Sequence, residues 1–257
     1  HSNLRRQRQM CIRDRVDPGS FLEFGAFAVA AQRNRRDYEE LQLETSADGI
    51  LTGFCNINED EVGEDNSHAA AIIYDYSVLA GSQGFFHHQK LDRICEKAEE
   101  FSLPVVIFTE GGGGRPGDTD VTTQIAGLHI PSFSTWARLT GKCLKIAVNN
   151  GYCFAGNAVL FGCSDFMIAT KQSWIGMAGP AMIEGGGLGV YDPKEIGPAE
   201  EQYKNGVLDY LAEDEKDATF IAKKLLSYFQ GNLSDWSIDD QTKLRDIIPE
   251  DRRWAYP

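Results

Sequence analysis

With 257 residues and 42% apolar content, the chain can bury one large core or two modest ones. A net charge of −13 at pH 7 argues against nucleic acid as a partner and opposes any anionic ligand that lacks local positive groups. No stretch reaches ~18 consecutive apolar residues, so no membrane-spanning helix is expected.

The first fifteen residues, HSNLRRQRQMCIRDR, stand apart. Five arginines and one aspartate give them a charge of +4, which leaves −17 on the remainder. They lack an apolar h-region and so do not read as a secretory signal. MCIRDR resembles the translation of a sequencing-library adaptor, so residues 1–15 are expected to be a non-native leader, with the native frame entering near Val16.

From Asp48 onward, strand and helix signals alternate. Asp48 to Ile57 and Ala69 to Tyr76 are β-rich and separated by an acidic turn, which predicts a hairpin-like pair. Phe85 to Phe101 has helical spacing, with Leu91, Ile94, Cys95 and Ala98 on one face. Pro104 to Thr109 is a short Val/Ile-rich run of the kind found in buried parallel strands, and it ends in EGGGGRPG. A helix is expected over Ile125 to Leu139, a strand over Leu144 to Val148, a small-residue helix from Ala155 to Cys163 and a strand over Phe166 to Thr170. After the glycine-rich stretch Gly176 to Gly189, the pattern predicts a strand at Gly206 to Leu211. An amphipathic helix over Ala218 to Phe229 follows, closed by Gly231.

Repeated strand–strand–helix units with short connections predict one α/β domain of parallel strands with crossover helices, spanning residues 16–243. Residues 244–257 read as a helix end followed by a charged, proline-containing linker toward a further domain. The six cysteines show no C-x-x-C spacing and read as reduced core residues, neither a disulfide frame nor a zinc site.

Three glycine-bearing segments follow strand ends, where bare backbone lets a ligand reach peptide N–H groups. They are Glu110 to Gly117, Asn149 to Gly162, and Ile175 to Gly189, the last expected to form a pocket wall. In the second, a strand turns through Gly151 into a helix starting near Gly156. The unsatisfied N–H groups at such a start suit a developing oxyanion. Side-chain catalysts are scarce. No G-x-S-x-G elbow or H-E-x-x-H motif occurs. His87 and His88, beside Lys90, point to different sides of a helix; they read as solvated residues, one of them near a ligand phosphate. Cys153 has apolar flanks that would raise its pKa, so it reads as core.

DPGSFLEF, DGILTGF, AGSQG, LPVVIFTEGGGGR, NNGYCFAGNA and GPAMIEGGGLG, in this order, resemble the carboxyltransferase β subunits of biotin-dependent acyl-CoA carboxylases, of the propionyl-CoA and methylcrotonyl-CoA carboxylase type. The likeness covers the N-terminal half of such a subunit. It implies a crotonase/Clp-protease-like α/β spiral of strand–strand–helix units in a single domain. It also implies transfer of a carboxyl group from carboxybiotin to the α-carbon of a short-chain acyl-CoA. Released biotin takes the α-proton, and the protein supplies peptide N–H donors to the enolate oxygen.

By motif match, the family's S-G-G-A-R loop falls on Gly111 to Arg115 and its C-A-G-G-A turn within Cys153 to Ala158, with A-G-G-A on Ala155 to Ala158. The implied oxyanion donors are the N–H groups of Gly113, Gly114, Gly156 and Asn157, with Asn157 standing in place of the second glycine. The implied substrate-binding residues are Gly111, Gly112, Ala155, Arg115, Ser82, His87 and Lys90, with Lys90 the expected CoA-phosphate contact. Arg115 is expected to hold the loop or to meet a phosphate. The resemblance further implies biotin on a separate carrier protein and a biotin carboxylase subunit as partners. It implies a homo-oligomer, no metal in this chain, and a cytoplasmic location (the mitochondrial matrix in a eukaryote).

Two alternative readings stand beside this one: a biotin-linked acyl-CoA decarboxylase α subunit, whose fold and loops the motifs equally resemble, and a non-catalytic CoA-binding assembly subunit. A Clp-type hydrolase would need a serine at the turn where Ala155, Gly156 and Asn157 stand.

Overall fold

The computed structural model describes residues 12, 14–121, 130–231, 237–247 and 251. Seven strands form one mixed sheet: β1 (Leu22–Phe24), β2 (Ile50–Asn56), β3 (His68–Tyr74), β4 (Val105–Phe108), β5 (Lys145–Asn149), β7 (Phe166–Thr170) and β9 (Tyr210–Ala212), in that spatial order. β1, β2 and β3 pair antiparallel, and every later pairing is parallel. β6 (Tyr152–Phe154) and β8 (Trp174–Gly176) make a separate two-stranded parallel sheet.

The sheet is apolar on both faces, as parallel strands covered by crossover helices must be. One face carries Ile72, Ile107, Ala147 and Ala169 against Leu91, Ile94, Cys95 and Ala98 of α2 (Phe85–Phe101), together with Trp136 of α3 (Ser132–Arg138). The other carries Ile73, Val106, Val148 and Ile168 against Ala218, Ala222 and Leu226 of α7 (Glu215–Ser227). Other helices are α1 (Tyr38–Glu44), α4 (Gly156–Gly162), α5 (Pro180–Gly185) and α6 (Ala199–Lys204), and two single turns of helix, Glu59–Val62 and Glu64–Ser67, connect β2 to β3. Asp214 caps α7 by accepting from the Asp217 N–H at 2.9 Å.

The expected α/β architecture and the strand pair before α2 are present, and α2 has the predicted bounds. Other elements differ. Of the helix expected over Ile125 to Leu139, the described residues form Ser132–Arg138, with Ile130 and Pro131 outside the helix, while residues 122–129 lie outside the described residues. The strand expected at Gly206 to Leu211 is Tyr210–Ala212, since Gly206 adopts φ +73° in the turn that leaves α6. The segment Gly176 to Gly189 is the end of β8, then α5 and a turn. Cys55, Cys95, Cys143 and Cys153 are buried free thiols, whereas Cys163 is exposed just past α4; Cys11 lies outside the described residues. Packing also begins ahead of Val16. Ile12 lies against the α7-side core and Arg15 pairs with Glu215.

Candidate active site

Three turns meet beyond the ends of β3, β4 and β6. The glycine loop leaves β4 and is threaded by main-chain bonds. Gly111 N–H donates to Tyr152 O (2.8 Å) and Phe154 N–H to Gly111 O (2.9 Å), which joins the loop to β6. Gly112 N–H donates to Ala80 O (3.0 Å), Gln83 N–H to Gly113 O (2.7 Å) and Arg115 N–H to Gln83 O (2.9 Å), which joins it to the AGSQG turn. Gly113 has φ +89°, and a Cβ there would stand 2.6 Å from Ala155 Cβ and 3.5 Å from Gly156 N, so only glycine lets the two turns meet.

β6 turns sharply into α4 through Ala155, whose φ of 51° and ψ of −118° form a strained elbow. Its N–H is tied to Gly176 O at 3.0 Å. A hydrolase nucleophile would sit at this elbow, and the chain puts a methyl group there. Gly156 faces Gln83, and a Cβ on it would meet Gln83 Oε1 at 2.2 Å.

The four expected N–H donors are brought to one place but are not equivalent. Gly113 N–H donates to Asn157 Oδ1 at 3.1 Å and is therefore committed. Gly114 and Gly156 donate to no described residue. Gly112 and Gly114 are exposed, with nothing within 4 Å of a Cβ built on Gly114, so the outer side of the loop is open. Asn157, expected to contribute only its backbone, is fully buried, and its side chain bridges the three segments.

Ser82, His87, Lys90 and Arg115 also come together, around a residue that sequence reasoning passed over. Asp48 is fully buried at φ 53°, in a turn where Ala47 is also left-handed. Its carboxylate is salt-bridged to Arg115 and accepts from the His87 backbone N–H at 2.7 Å. Its carbonyl faces His87 Nδ1 at 3.2 Å, so this nitrogen carries the proton. Arg115 also donates to Ser82 Oγ (3.2 Å) and Ser82 O (2.7 Å), and Asp118 stands 3.6 Å away. Burial raises the Asp48 carboxyl above its usual range, with Arg115 opposing part of the rise.

Arg115, expected to hold the loop or to meet a phosphate, has its guanidinium engaged by Asp48 and Ser82. Lys90, expected to meet a CoA phosphate, is buried, with its ammonium on the carbonyls of Ala47 and Ile50. His87 and His88, expected to be solvated, are buried instead. Burial holds His87 well below its usual pKa and His88 at about 4, so both are neutral at pH 7. His88 Nδ1 pairs with Ser132 Oγ at 2.9 Å. Burial pushes the Cys153 thiol up to about 12, in keeping with a core role. Among the described residues, no group of three or more His, Cys, Asp or Glu could hold a metal ion. Nor is any helix among them long and apolar enough to cross a membrane.

Gln83 was also missed. It is buried, its Nε2 donates to Tyr74 Oη at 2.9 Å, and its Oε1 faces the Gly156 turn. The available signal was its place inside a Gly-flanked motif after a strand.

A mixed sheet wound through strand–strand–helix turns, with two glycine turns brought face to face, defines a crotonase-like fold. Residues 5–257 match the carboxyl transferase domain family, and the chain belongs to it. It is 29% identical to the methylmalonyl-CoA carboxyltransferase 12S subunit of Propionibacterium freudenreichii subsp. shermanii, over 100% of this chain and 48% of that protein. It is 28% identical to the biotin-dependent long chain acyl-coenzyme A carboxylase beta4 subunit of Mycobacterium tuberculosis, over 87% of this chain and 40% of that one. A solved single-chain, multi-domain long-chain acyl-CoA carboxylase superposes with a TM-score of 0.85 at 48% identity, covering 99% of this chain and 26% of that chain. The chain therefore spans about half or less of the length of these relatives.

Proposed function

We propose that the chain is the acyl-CoA-binding part of a carboxyltransferase that moves a carboxyl group from carboxybiotin to the α-carbon of an acyl-CoA. The observation that carries this reading is the pair of facing turns in which Gly114 and Gly156 keep their N–H groups free of acceptors among the described residues. Such donors hold a thioester carbonyl oxygen as it gains enolate charge, and losing one typically costs about 3–4 kcal/mol of barrier. Carboxybiotin, brought on its carrier protein, would supply the carboxyl group. The open outer side of Gly114 leaves room for a planar group against the loop. The described site residues fit this division of labour. Ala155 offers no nucleophile, the Cys153 thiol stays protonated, and the histidines nearby are buried and neutral.

In this reading residues 16–243 form the carboxyltransferase domain, which works with a biotin carrier, a biotin carboxylase and further copies of itself. The motif resemblance favours a short acyl chain. A long-chain substrate is the second reading, favoured by two relatives that carry that description.

Calorimetric titration with acetyl-, propionyl-, methylcrotonyl- and palmitoyl-CoA, with free CoA as reference, tests the proposal. Saturable binding that depends on the acyl group is expected, and it would name the chain length. Identical binding of all five would reduce the site to a nucleotide contact. In the full-length enzyme, Gly156→Val is expected to lower turnover by at least about 100-fold, because its side chain would crowd Gln83 and the donor. Turnover like that of the parent would remove the donor assignment.

A further inference from the structure

The side chain of Asn157 is not used by the mechanism above, yet every polar atom on it is engaged. Oδ1 accepts the Gly113 N–H (3.1 Å), while Nδ2 donates to Thr109 O (3.0 Å) and makes a longer contact with Gly81 O (3.5 Å). These partners belong to the glycine loop, the end of β4 and the AGSQG turn, so one buried carboxamide ties together the three segments that form the site. No other side chain of that size could do this. Aspartate cannot donate to the Thr109 carbonyl, leucine can do neither, and glutamine is one methylene too long for a space closed on all sides.

The space itself exists because residue 111 is glycine. A Cβ at Gly111 would lie 2.2 Å from Asn157 Nδ2 and 2.2 Å from Gly81 O. In the S-G-G-A-R and C-A-G-G-A motifs that these turns resemble, the side chain stands at the position of Gly111 and a bare glycine stands at that of Asn157. Here the arrangement is reversed.

We infer that Asn157 is a positioning residue whose carboxamide fills the space a side chain at 111 would need, withdraws the Gly113 N–H from the site, and so holds the loop with Gly114 as its donor. Its catalytic half rests on the oxyanion reading given above, whereas the clamp rests on the hydrogen bonds alone. An exchange of side chains between two turns predicts energetic coupling between positions 111 and 157, since residues in direct contact respond non-additively.

The test uses the full-length enzyme and its biotin carrier, with Asn157→Ala, Gly111→Ser, Asn157→Gly and the Gly111→Ser/Asn157→Gly double variant. Carboxyl transfer is read as kcat and KM separately, and hydrogen exchange is followed across residues 111–115. In Asn157→Ala, kcat is expected to fall by about tenfold or more with KM for acyl-CoA little changed, as for an interaction that matters in the transition state. Exchange at 111–115 should quicken while β4, β5 and α2 keep their protection. Gly111→Ser should be less damaging when introduced together with Asn157→Gly than in the parent, because one of its two close contacts is gone, while the Gly81 carbonyl must shift in both.

Unchanged exchange in Asn157→Ala would overturn the clamp. Quickened exchange with an unchanged kcat would overturn the positioning role. Additive effects at 111 and 157 would overturn the exchange of side chains. If the parent transfers no carboxyl group while loop exchange still responds to Asn157→Ala, the clamp stands and it is the functional reading that falls.

Discussion

At the scale of single residues, Asp48 shows what sequence reasoning reaches and what it does not. The glycines of the site were legible because bare backbone after a buried strand has few other uses. The role of Asp48 was not legible, because its partner Arg115 lies 67 positions away and nothing local in TSADGI marks a buried carboxylate. The same blindness misplaced Lys90 and His87, whose partners are carbonyls of that turn.

Glu110, next to the loop, has its own consequence. Burial, reinforced by Glu215 and Asp75 and opposed by Arg15, pushes its carboxyl up to about 7. The folded chain thus keeps this proton up to about pH 7, while an unfolded glutamate releases it near 4.5. Between these values the folded state binds more protons, so the group's stabilisation is full below pH 4.5 and is lost as pH rises through 7. Glu110→Gln is expected to flatten that decline and to be the more stable protein at pH 8, as denaturant midpoints at the two ends of the window would show. Parallel pH profiles for the two proteins would refute this.

At the scale of elements, length decided legibility. α2 runs for 17 residues, enough for its apolar period to fix both ends, and the buried runs of β3, β4, β5 and β7 were equally plain. β6 and β8 have three residues each, too few for any period, so the small sheet that fastens the glycine loop to the α4 turn went unseen. β1, α1 and α6 were missed for the same reason.

α4 offers a prediction of its own. Gly162 lies exposed in its last turn, outside the left-handed region and with nothing within 4 Å of an added Cβ. Gly162→Ala should therefore stabilise the protein by about 0.5–1 kcal/mol through the restricted backbone of alanine. A lower thermal midpoint would mean that this turn needs glycine for a reason other than space.

At the scale of the molecule, charge and topology pull against each other. The sheet carries the two turns to one place, but the chain around them has a net charge of −13, and CoA is itself a polyanion. The cations expected to offset this are engaged internally, Arg115 by Asp48 and Lys90 by carbonyls. The association rate of acyl-CoA is therefore expected to rise between about 0.05 and 0.5 M salt as repulsion is screened. Stopped-flow measurement would check this, and a falling rate would reveal a basic patch strong enough to dominate. The alternation of strands and helices made the overall architecture legible, whereas the meeting of three turns depended on pairings between distant segments.

That meeting joins peptide groups, Gly111 to Tyr152, Gly112 to Ala80 and Gln83 to Gly113, with the Asn157 carboxamide and the Arg115 guanidinium laid across them. Peptide N–H donors cannot be removed by trading one side chain for another; substitutions reach them only by crowding them or by loosening the groups that hold them. Divergence around such a centre is then best read as a redistribution of volume, and inherited drift there should conserve empty room more faithfully than it conserves letters.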